Sequence, residues 1–155
     1  MIYMSIDSIT LEQLKALLSE HDSTVSNLSN AVAFLNQNLS NINWIGFYSF
    51  NYQTNQLDLG PFQGKVACVH IKNGEGVCGT ATAKKEIQNI SDVKKFHGHI
   101  ACDENSKSEL VTPLIKDSKV LGVLDIDSPI TNRFSDVDQL KIKKAVQIIT
   151  QVIDK

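Results

Sequence analysis

Apolar residues recur at helical spacing near both ends of the chain. Residues 8–20 repeat leucine at this spacing, and we expect Thr10 to cap the helix that they form. Residues 24–39 carry a second apolar stripe, although their many serines and asparagines are weak helix formers, so packing must hold this helix. Residues 135–155 predict the last helix, which Ser135 caps with an aspartate three residues later. The residues that recur at helical spacing in the first helix are Leu11, Leu14, Leu17 and Leu18. Those that line one face of the second are Val25, Leu28, Val32, Leu35 and Leu39. The predicted buried stripe of the last is Val137, Leu140, Ala145, Ile148, Ile149 and Val152.

Short aromatic and β-branched runs after the second helix predict strands. "NWIGFYSF" and "QLDLGPF" flank the turn "NYQTN" and therefore predict a hairpin. "KVACVHI" predicts a third strand with Cys68 inside it. A glycine-rich turn, "KNGEGVCGTATAKKE", then enters a short helix that has Cys78 near its N-terminus.

A second hairpin is predicted closer to the C-terminus. "ELVTPLI" and "KVLGVLDID" flank the tight turn "KDS", and "IQNI" upstream suits a short strand. Residues 91–107 form a polar loop that is longer than usual for a compact domain, and such loops tend to be functional. Because the strands come in hairpin-linked runs with helices at the ends, we expect an α+β fold with a mostly antiparallel sheet in one domain.

Composition and charge exclude several classes of function. The chain has 155 residues and a net charge of −2 that is mixed along its length. No basic block points to nucleic acid or to an anionic membrane. The N-terminus lacks the basic and apolar regions of a signal peptide, and no apolar run is long enough to span a bilayer. We therefore expect a cytoplasmic protein that binds neither nucleic acid nor membrane.

Three cysteines, Cys68, Cys78 and Cys102, carry the first candidate chemistry. An odd number argues against a stapled secreted fold, and in a reducing cytosol any disulfide among them would be transient, hence catalytic or regulatory. Cys68 in a strand is by default a small buried apolar residue. Cys78 has the same default, although a helix N-terminus lowers the pKa of a thiol. Cys102 lies in a polar loop beside two acids, which is not a core position.

Acidic residues at the open end of the second hairpin are the next candidates. Side chains alternate along a strand, so Asp125 and Asp127 point to one face, either as a solvated strand end or as a carboxylate pair. If the hairpin pairs through its tight turn, Glu109 lies near their level. Close carboxylates disfavour double ionisation, so one of them keeps its proton near neutral pH. Trp44 and Tyr48 share a strand face and suit either core packing or the wall of a small-ligand pocket.

Metal and phosphate sites have little support in the sequence. Zinc sites usually contain a close cysteine pair, whereas the cysteines here are far apart and "HGH" is a poor chelate on an extended loop. The pair Asp125 and Asp127 lacks a further ligand motif, and "NGEGVCGT" lacks the Lys-Ser/Thr of a phosphate loop. We expect no metal and no cofactor.

Six stretches together resemble the free methionine-(R)-sulfoxide reductases, a catalytic branch of the GAF-domain proteins. They run in order from about Asn43 to Pro129 and are "NWIGFY", "LDLGPFQGKVAC", "GEGVCGTA", "GHIACD", "SKSELVTPL" and "GVLDIDSP". The three cysteines with "LDIDSP" and "SELV" make the resemblance specific to this branch. One departure is His97 after Phe96, where many relatives read "FPGHIAC"; it concerns loop stiffness rather than chemistry.

The resemblance implies a single GAF-like catalytic domain over residues 1–155, with helices packed on a central antiparallel sheet and often a homodimer. It implies that Cys102 attacks the substrate sulfur and becomes a sulfenic acid as methionine leaves. A second cysteine would condense with it to a disulfide, which thioredoxin would reduce. Cys68 and Cys78 both match family cysteines. The resemblance favours Cys68 as the resolving partner, whereas the helix terminus argues for Cys78.

The same resemblance implies the substrate contacts. Glu109, Asp125 and Asp127 match the family's pocket acids, which would hold the substrate's ammonium and share the proton-donor role. Trp44 and Tyr48 would form the wall around the methyl-sulfoxide end. An enclosed pocket with carboxylates for the ammonium suits a free amino acid rather than a peptide.

Two other functions account for part of the pattern. A GAF module that binds a small ligand would explain the pocket and the aromatic residues but not three cysteines. A thiol redox sensor would explain the cysteines but not the acidic cluster. Neither alternative predicts the release of methionine.

Overall fold

Six antiparallel strands form one sheet in the computed structural model, which describes residues 6–100 and 102–153. Asp154 and Lys155 of the predicted last helix therefore lie outside the described residues. The order across the sheet is β3-β2-β1-β6-β5-β4, and every pairing is antiparallel. The expected α+β fold and both predicted hairpins are confirmed. The strands are β1 (Trp44–Asn51), β2 (Gln56–Gln63), β3 (His70–Lys72), β4 (Gln88–Ile90), β5 (Ser108–Lys116) and β6 (Lys119–Ser128).

Four α-helices cover the two faces of the sheet. One apolar cluster packs α1, α2 and α4 against one face, and a second cluster packs α3 against the other. Among the described residues, no helix is both long and apolar enough to cross a bilayer. The helices are α1 (Ser8–Leu17), α2 (Thr24–Asn38), α3 (Gly76–Lys84) and α4 (Asp136–Val152), and a 3₁₀ turn spans Val93–Lys95.

The alternation of side chains along β1 separates the two cores. Ile45 and Phe47 are buried against the three helices, whereas Trp44 and Tyr48 are buried on the α3 face. Val123 on β6 joins the α3-side cluster, so residues two and four positions further along that strand face the same way. The strand residues with candidate chemistry therefore lie on the α3 side.

The N-terminal cap predicted from the sequence is confirmed for α4 but is wrong for α1. Asp7, not Thr10, caps α1, because Asp7 Oδ1 accepts hydrogen bonds from the Thr10 amide at 2.7 Å and the Thr10 hydroxyl at 2.8 Å. A carboxylate just before the helix satisfies N–H groups of the first turn. Ser135 caps α4 in a capping box with Asp138, as predicted.

The buried stripes of the helices are narrower than predicted. Val137 and Leu140 are exposed, so their assignment to the buried stripe of α4 is wrong, and Leu17 and Val25 on the apolar faces of α1 and α2 are exposed too. Three of these four residues lie in the first or last turn of a helix, where less of the sheet is available to cover them. The buried residues of α4 are Ile142, Ala145, Val146, Ile149 and Thr150.

The third strand is shorter than predicted. β3 begins at His70, and Cys68 lies in the extended connection before it rather than inside a strand. Side chains of β1 explain the difference, because they donate hydrogen bonds to the backbone carbonyls of Lys65 and Cys68. These bonds hold the connection toward the α3 face, and the connection keeps a backbone hydrogen bond to β2 at Val69, whose carbonyl accepts from the Leu59 amide at 2.9 Å.

Gly122 allows β1 and β6 to approach closely, and four residues of the candidate site, Trp44, Tyr48, Asp125 and Asp127, lie on these two strands. A Cβ at position 122 would overlap the Tyr48 carbonyl oxygen, which is backbone and has little freedom to move. We expect Gly122→Ala to lower the free energy of unfolding by about 1–3 kcal/mol, as overpacked positions do. Urea unfolding would measure this effect. Lys119→Ala, an exposed change on the same strand, should be near neutral, and equal effects of both variants would contradict the prediction.

Candidate active site

Three side chains form a row across neighbouring strands at one end of the sheet. Trp44 on β1 pairs with Asp127 on β6, and Asp127 pairs with Glu109 on β5. Asp125 lies in the next row on the same face, opposite Gly46. The predicted register of the second hairpin is confirmed, and it brings three carboxyl groups together.

Trp44 and Tyr48 form the aromatic side of the site. Their ring centroids are 5.9 Å apart, and Gly46 between them leaves room, since a Cβ there would overlap the Trp44 ring. The Trp44 indole donates to the Lys65 carbonyl at 3.1 Å, and the Tyr48 hydroxyl donates to the Cys68 carbonyl at 3.0 Å. The polar tips of the two rings therefore hold the segment that carries Cys68, rather than pointing at a ligand.

Cys68 and Cys102 are joined by a disulfide, with their Cα atoms 5.6 Å apart. This is the pairing that the family resemblance favours. Cys78 is a free, buried thiol. Cys68 is half-buried in a connection, so the default expectation of a buried strand residue is wrong for it.

Cys78 lies in the first turn of α3, against the acids. Its Sγ is 3.9 Å from Glu109 Oε1, and single ligand atoms of Cys78, Glu109 and Asp125 all lie within 4.8 Å of one another. Burial first, and then the charges of Asp125 and Glu109, raise the pKa of the Cys78 thiol well above its usual value. The expectation that the helix terminus lowers this pKa is wrong, because burial and two carboxyl groups outweigh a partial helix charge.

The three carboxyl groups hold protons unusually tightly. Burial, with the nearby charge of Asp127, raises the pKa of Glu109 from 4.5 to about 8. Burial and Glu109 raise the pKa of Asp125, and burial and Asp125 raise the pKa of Asp127. Among the described residues, no lysine or arginine lines the site to offset these charges. The cluster therefore retains protons at neutral pH.

Sequence reasoning missed two polar residues of the site, His99 beside Glu109 and Asn43 beside Asp103. His99 Nε2 lies 3.4 Å from Glu109 Oε2, and burial lowers the pKa of this histidine, so both groups are largely uncharged at neutral pH. Asn43 Nδ2 donates to Asp103 Oδ2 at 3.0 Å and to Ser106 Oγ at 3.1 Å, which ties the Cys102 loop to the start of β1. The "GHIAC" motif contains His99 close to Cys102, but only the folded loop shows that it reaches Glu109.

These residues enclose a small cavity between the sheet, α3 and the Cys102 loop. Its volume is about 30 Å³, room for one or two water molecules. Asp125 Oδ1 is buried and has no hydrogen-bond partner among the described residues, so a donor from a ligand or a water could satisfy it. Seven of the eight predicted site residues line the cavity, namely Trp44, Tyr48, Cys78, Cys102, Glu109, Asp125 and Asp127.

The arrangement combines a cysteine pair with carboxyl groups that hold protons. Cys102 of the disulfide lines the cavity together with these carboxyl groups. With the disulfide reduced, such a site would offer a substrate both a thiol and a proton donor. Cys78, Glu109 and Asp125 also form a group of the size and ligand type that could hold a divalent cation.

The model of the GAF domain family matches residues 10–153 of the chain. The chain therefore belongs to the GAF domain family, and the predicted GAF fold is confirmed.

Similar proteins narrow this assignment. The free methionine-R-sulfoxide reductase of Escherichia coli strain K12 is 47% identical over 138 residues, which cover 89% of this chain and 82% of that protein. The reduced form of the Staphylococcus aureus enzyme, described as fRMsr, superimposes with a TM-score of 0.93 at 46% identity over 99% of both chains. The complex of the Staphylococcus aureus protein with substrate superimposes with a TM-score of 0.88 at 48% identity over 95% of both chains. Within the GAF family the chain groups with the free methionine-R-sulfoxide reductases, as its motifs predict.

The raised pKa of Glu109 predicts how stability changes with pH. A carboxyl group whose pKa rises on folding contributes full stability below its unfolded value of 4.5 and loses that contribution as pH rises toward about 8. Glu109→Gln removes the titration. As pH rises across this window, the free energy of unfolding of the variant should therefore increase relative to that of wild type by up to about 1.4 kcal/mol per pH unit.

Urea unfolding of the disulfide form at several pH values between 5 and 8 would measure this difference. Glu104→Gln, which changes an exposed carboxyl in the Cys102 loop, is the control and should run parallel to wild type. If the free energy of unfolding of Glu109→Gln also changes with pH in parallel with that of wild type, the pKa of the Glu109 carboxyl is not raised by folding.

Proposed function

We propose that this protein reduces free L-methionine (R)-sulfoxide to methionine, using Cys102 as the nucleophile. The observation that carries the proposal is the Cys68–Cys102 pair at the edge of a cavity that contains three proton-bearing carboxyl groups. A sulfoxide reductase needs both parts, because sulfur must be attacked and oxygen must be protonated. The relatives named for this reaction share close to half of the sequence.

The first step transfers oxygen from the substrate to the enzyme. The Cys102 thiolate attacks the sulfoxide sulfur, the oxygen takes a proton, and the sulfur–oxygen bond of the substrate breaks. The released hydroxide then bonds to Cys102 Sγ as the bond between the two sulfurs breaks, so methionine leaves and Cys102 becomes a sulfenic acid. Proton donation to the oxygen makes it a better leaving group. Glu109, Asp125 and Asp127 share this role, since raised pKa values keep protons available near neutral pH.

The same carboxyl groups account for a preference for the free amino acid. An ammonium group brings into the cavity the positive charge that no lysine or arginine lining it provides. As the ammonium enters, it lowers the pKa of the nearest carboxyl and favours its ionised form. Asp125 Oδ1, which lacks a partner, is one oxygen placed to accept a hydrogen bond from it. Trp44 and Tyr48 contact the apolar methyl end.

The second step joins the two cysteines. Cys68 attacks the Cys102 sulfenic acid, water leaves, and the disulfide forms. The disulfide form corresponds to the state after methionine has left, because the bond forms only once oxygen has passed from the substrate to Cys102. The raised pKa of Cys78 disfavours its thiolate and makes it the weaker candidate for resolution.

Reduction of the disulfide completes the cycle. Thioredoxin supplies two thiols, so the net reaction converts methionine sulfoxide and a dithiol into methionine, a disulfide and water. A cytoplasmic location suits this cycle, because the reducing cytosol keeps three cysteines as thiols between turnovers.

A single-turnover assay without added reductant tests the proposal. The reduced protein is mixed with each epimer of free methionine sulfoxide, and both the methionine formed and the thiols lost are counted. We expect one methionine per chain with two thiols lost, from the R epimer only. Intact thiols and no methionine from either epimer would leave ligand binding as the better function.

Cysteine variants in the same assay separate the roles of the three thiols. Cys102→Ser should form no methionine. Cys68→Ser should form one methionine and leave a sulfenic acid that dimedone traps. Cys78→Ser is the matched control and should still end at one methionine and one disulfide. Wild-type yield from Cys102→Ser, or a disulfide in Cys68→Ser, would contradict these assignments.

A further inference from the structure

Three large apolar side chains are exposed around the Cys68–Cys102 disulfide. Val66 is 88% exposed, Val69 58% and Ile100 37%. Each lies within two residues of one of the paired cysteines. Val66 and Ile100 both line the cavity together with Cys102, so they belong to one opening. We call Val66, Val69 and Ile100 the apolar rim.

The position of the apolar rim distinguishes it from the other exposed apolar residues. Five of these lie on α1, α2 and α4, which pack against the opposite face of the sheet, namely Ile9, Leu17, Val25, Val137 and Leu140. Tyr52 lies in the turn that follows β1, and Ile115 lies near the end of β5. An apolar surface next to a reactive group indicates that another molecule covers it. At the rim the reactive group is a disulfide, and only a thiol can reduce it by exchange.

We propose that the apolar rim is the docking surface for a small protein dithiol of the thioredoxin class, and that this reductant attacks the sulfur of Cys68. The inference rests on the proposed function, which requires a reductant, and it adds the surface and the sulfur atom that the reductant uses.

The exchange balances in two steps. The reductant's first thiolate forms a bond to Cys68 Sγ, the Cys68–Cys102 bond breaks, and Cys102 leaves as a thiolate. The reductant's second thiolate then attacks the reductant's first sulfur, which is now bonded to Cys68 in the mixed disulfide. That bond breaks, and Cys68 leaves as a thiolate. The reductant ends as a disulfide, and both cysteines of this chain become thiols after protonation.

The surroundings of the two sulfurs favour attack at Cys68. Cys68 lies in sequence between the exposed residues Val66 and Val69, and it is absent from the described cavity lining that contains Cys102. The Tyr48 hydroxyl holds the Cys68 carbonyl at 3.0 Å, so Cys68 is presented from a fixed segment. Attack from outside then releases Cys102 into the cavity, where the next substrate must meet it.

Disulfide reduction by two reductants of different size tests the docking surface. The oxidised protein is mixed with reduced thioredoxin or with dithiothreitol, and loss of the disulfide is followed directly by mass after alkylation. We expect Val69→Ser to lower the second-order rate constant with thioredoxin about tenfold, as loss of an interface anchor does. The rate with dithiothreitol should stay at the wild-type value, because a small dithiol needs no docking surface.

Val25→Ser is the matched control, because Val25 is 65% exposed on α2, away from the rim. It should change neither rate. Equal loss of both rates in Val69→Ser, or no loss with thioredoxin, would overturn the docking surface. The readout is the disulfide and not methionine, so failure of the reductase proposal in the single-turnover assay would be recognised separately.

A trapping experiment identifies the sulfur that is attacked. A thioredoxin whose second active-site cysteine is replaced by serine stops at the mixed disulfide. After free thiols are blocked, peptide mass spectrometry should find the partner joined to Cys68 and the blocking group on Cys102. A partner joined to Cys102 would overturn the assignment of Cys68.

Discussion

The structure depends on three carboxyl groups and a thiol that are buried together on one face of a sheet. Pairing of β1 with β6 and of β6 with β5 puts Asp127 and Glu109 in one row and Asp125 in the next. α3 then places Cys78 over them. Ionised carboxylates at this separation would repel one another in an environment that solvates them poorly, so the cluster keeps protons. The site is therefore acidic in its residues but close to neutral in its charge.

This constraint explains the contrast between Cys78 and the other two cysteines. Cys78 lies inside the acidic cluster, where its thiolate is disfavoured. Cys68 and Cys102 lie at the edge of the cluster, on two different segments. Each segment is held by its own hydrogen bonds to side chains in or next to β1. Trp44 and Tyr48 hold the segment of Cys68, and Asn43 holds the loop of Cys102. Asn43 and two side chains of β1 thus position both halves of the disulfide next to the proton-bearing carboxyl groups.

Local patterns in the sequence predicted the parts that depend on neighbouring residues. Alternation along β6 and the tight turn before it were enough to place Glu109 near Asp125 and Asp127. The capping box of α4 was also predicted, because it depends on two residues that are three positions apart. Thr10 was wrong as a cap because Asp7, three residues earlier, competes better for the first-turn N–H groups.

Features that depend on distant contacts could not be predicted in this way. The strand expected around Cys68 is replaced by a connection, because side chains of β1 capture its backbone. The helix terminus suggested a low pKa for Cys78, but acids from β5 and β6 decide the outcome. The contact of His99 with Glu109 depends on the path of a loop that has no repeating pattern. The pairing of Cys68 with Cys102 came from family resemblance rather than from spacing.

We propose that the buried acids recognise the free ammonium group of the substrate. This recognition can be tested by measuring with calorimetry how Cys102→Ser binds free methionine (R)-sulfoxide and the same compound acetylated on nitrogen. Acetylation removes the positive charge and leaves the sulfoxide unchanged. We expect binding of the free amino acid and at least about thirtyfold weaker binding of the acetylated form, the loss expected when one partner of a buried charge pair is removed. Equal affinity for both compounds would show that the carboxyl groups do not hold the ammonium.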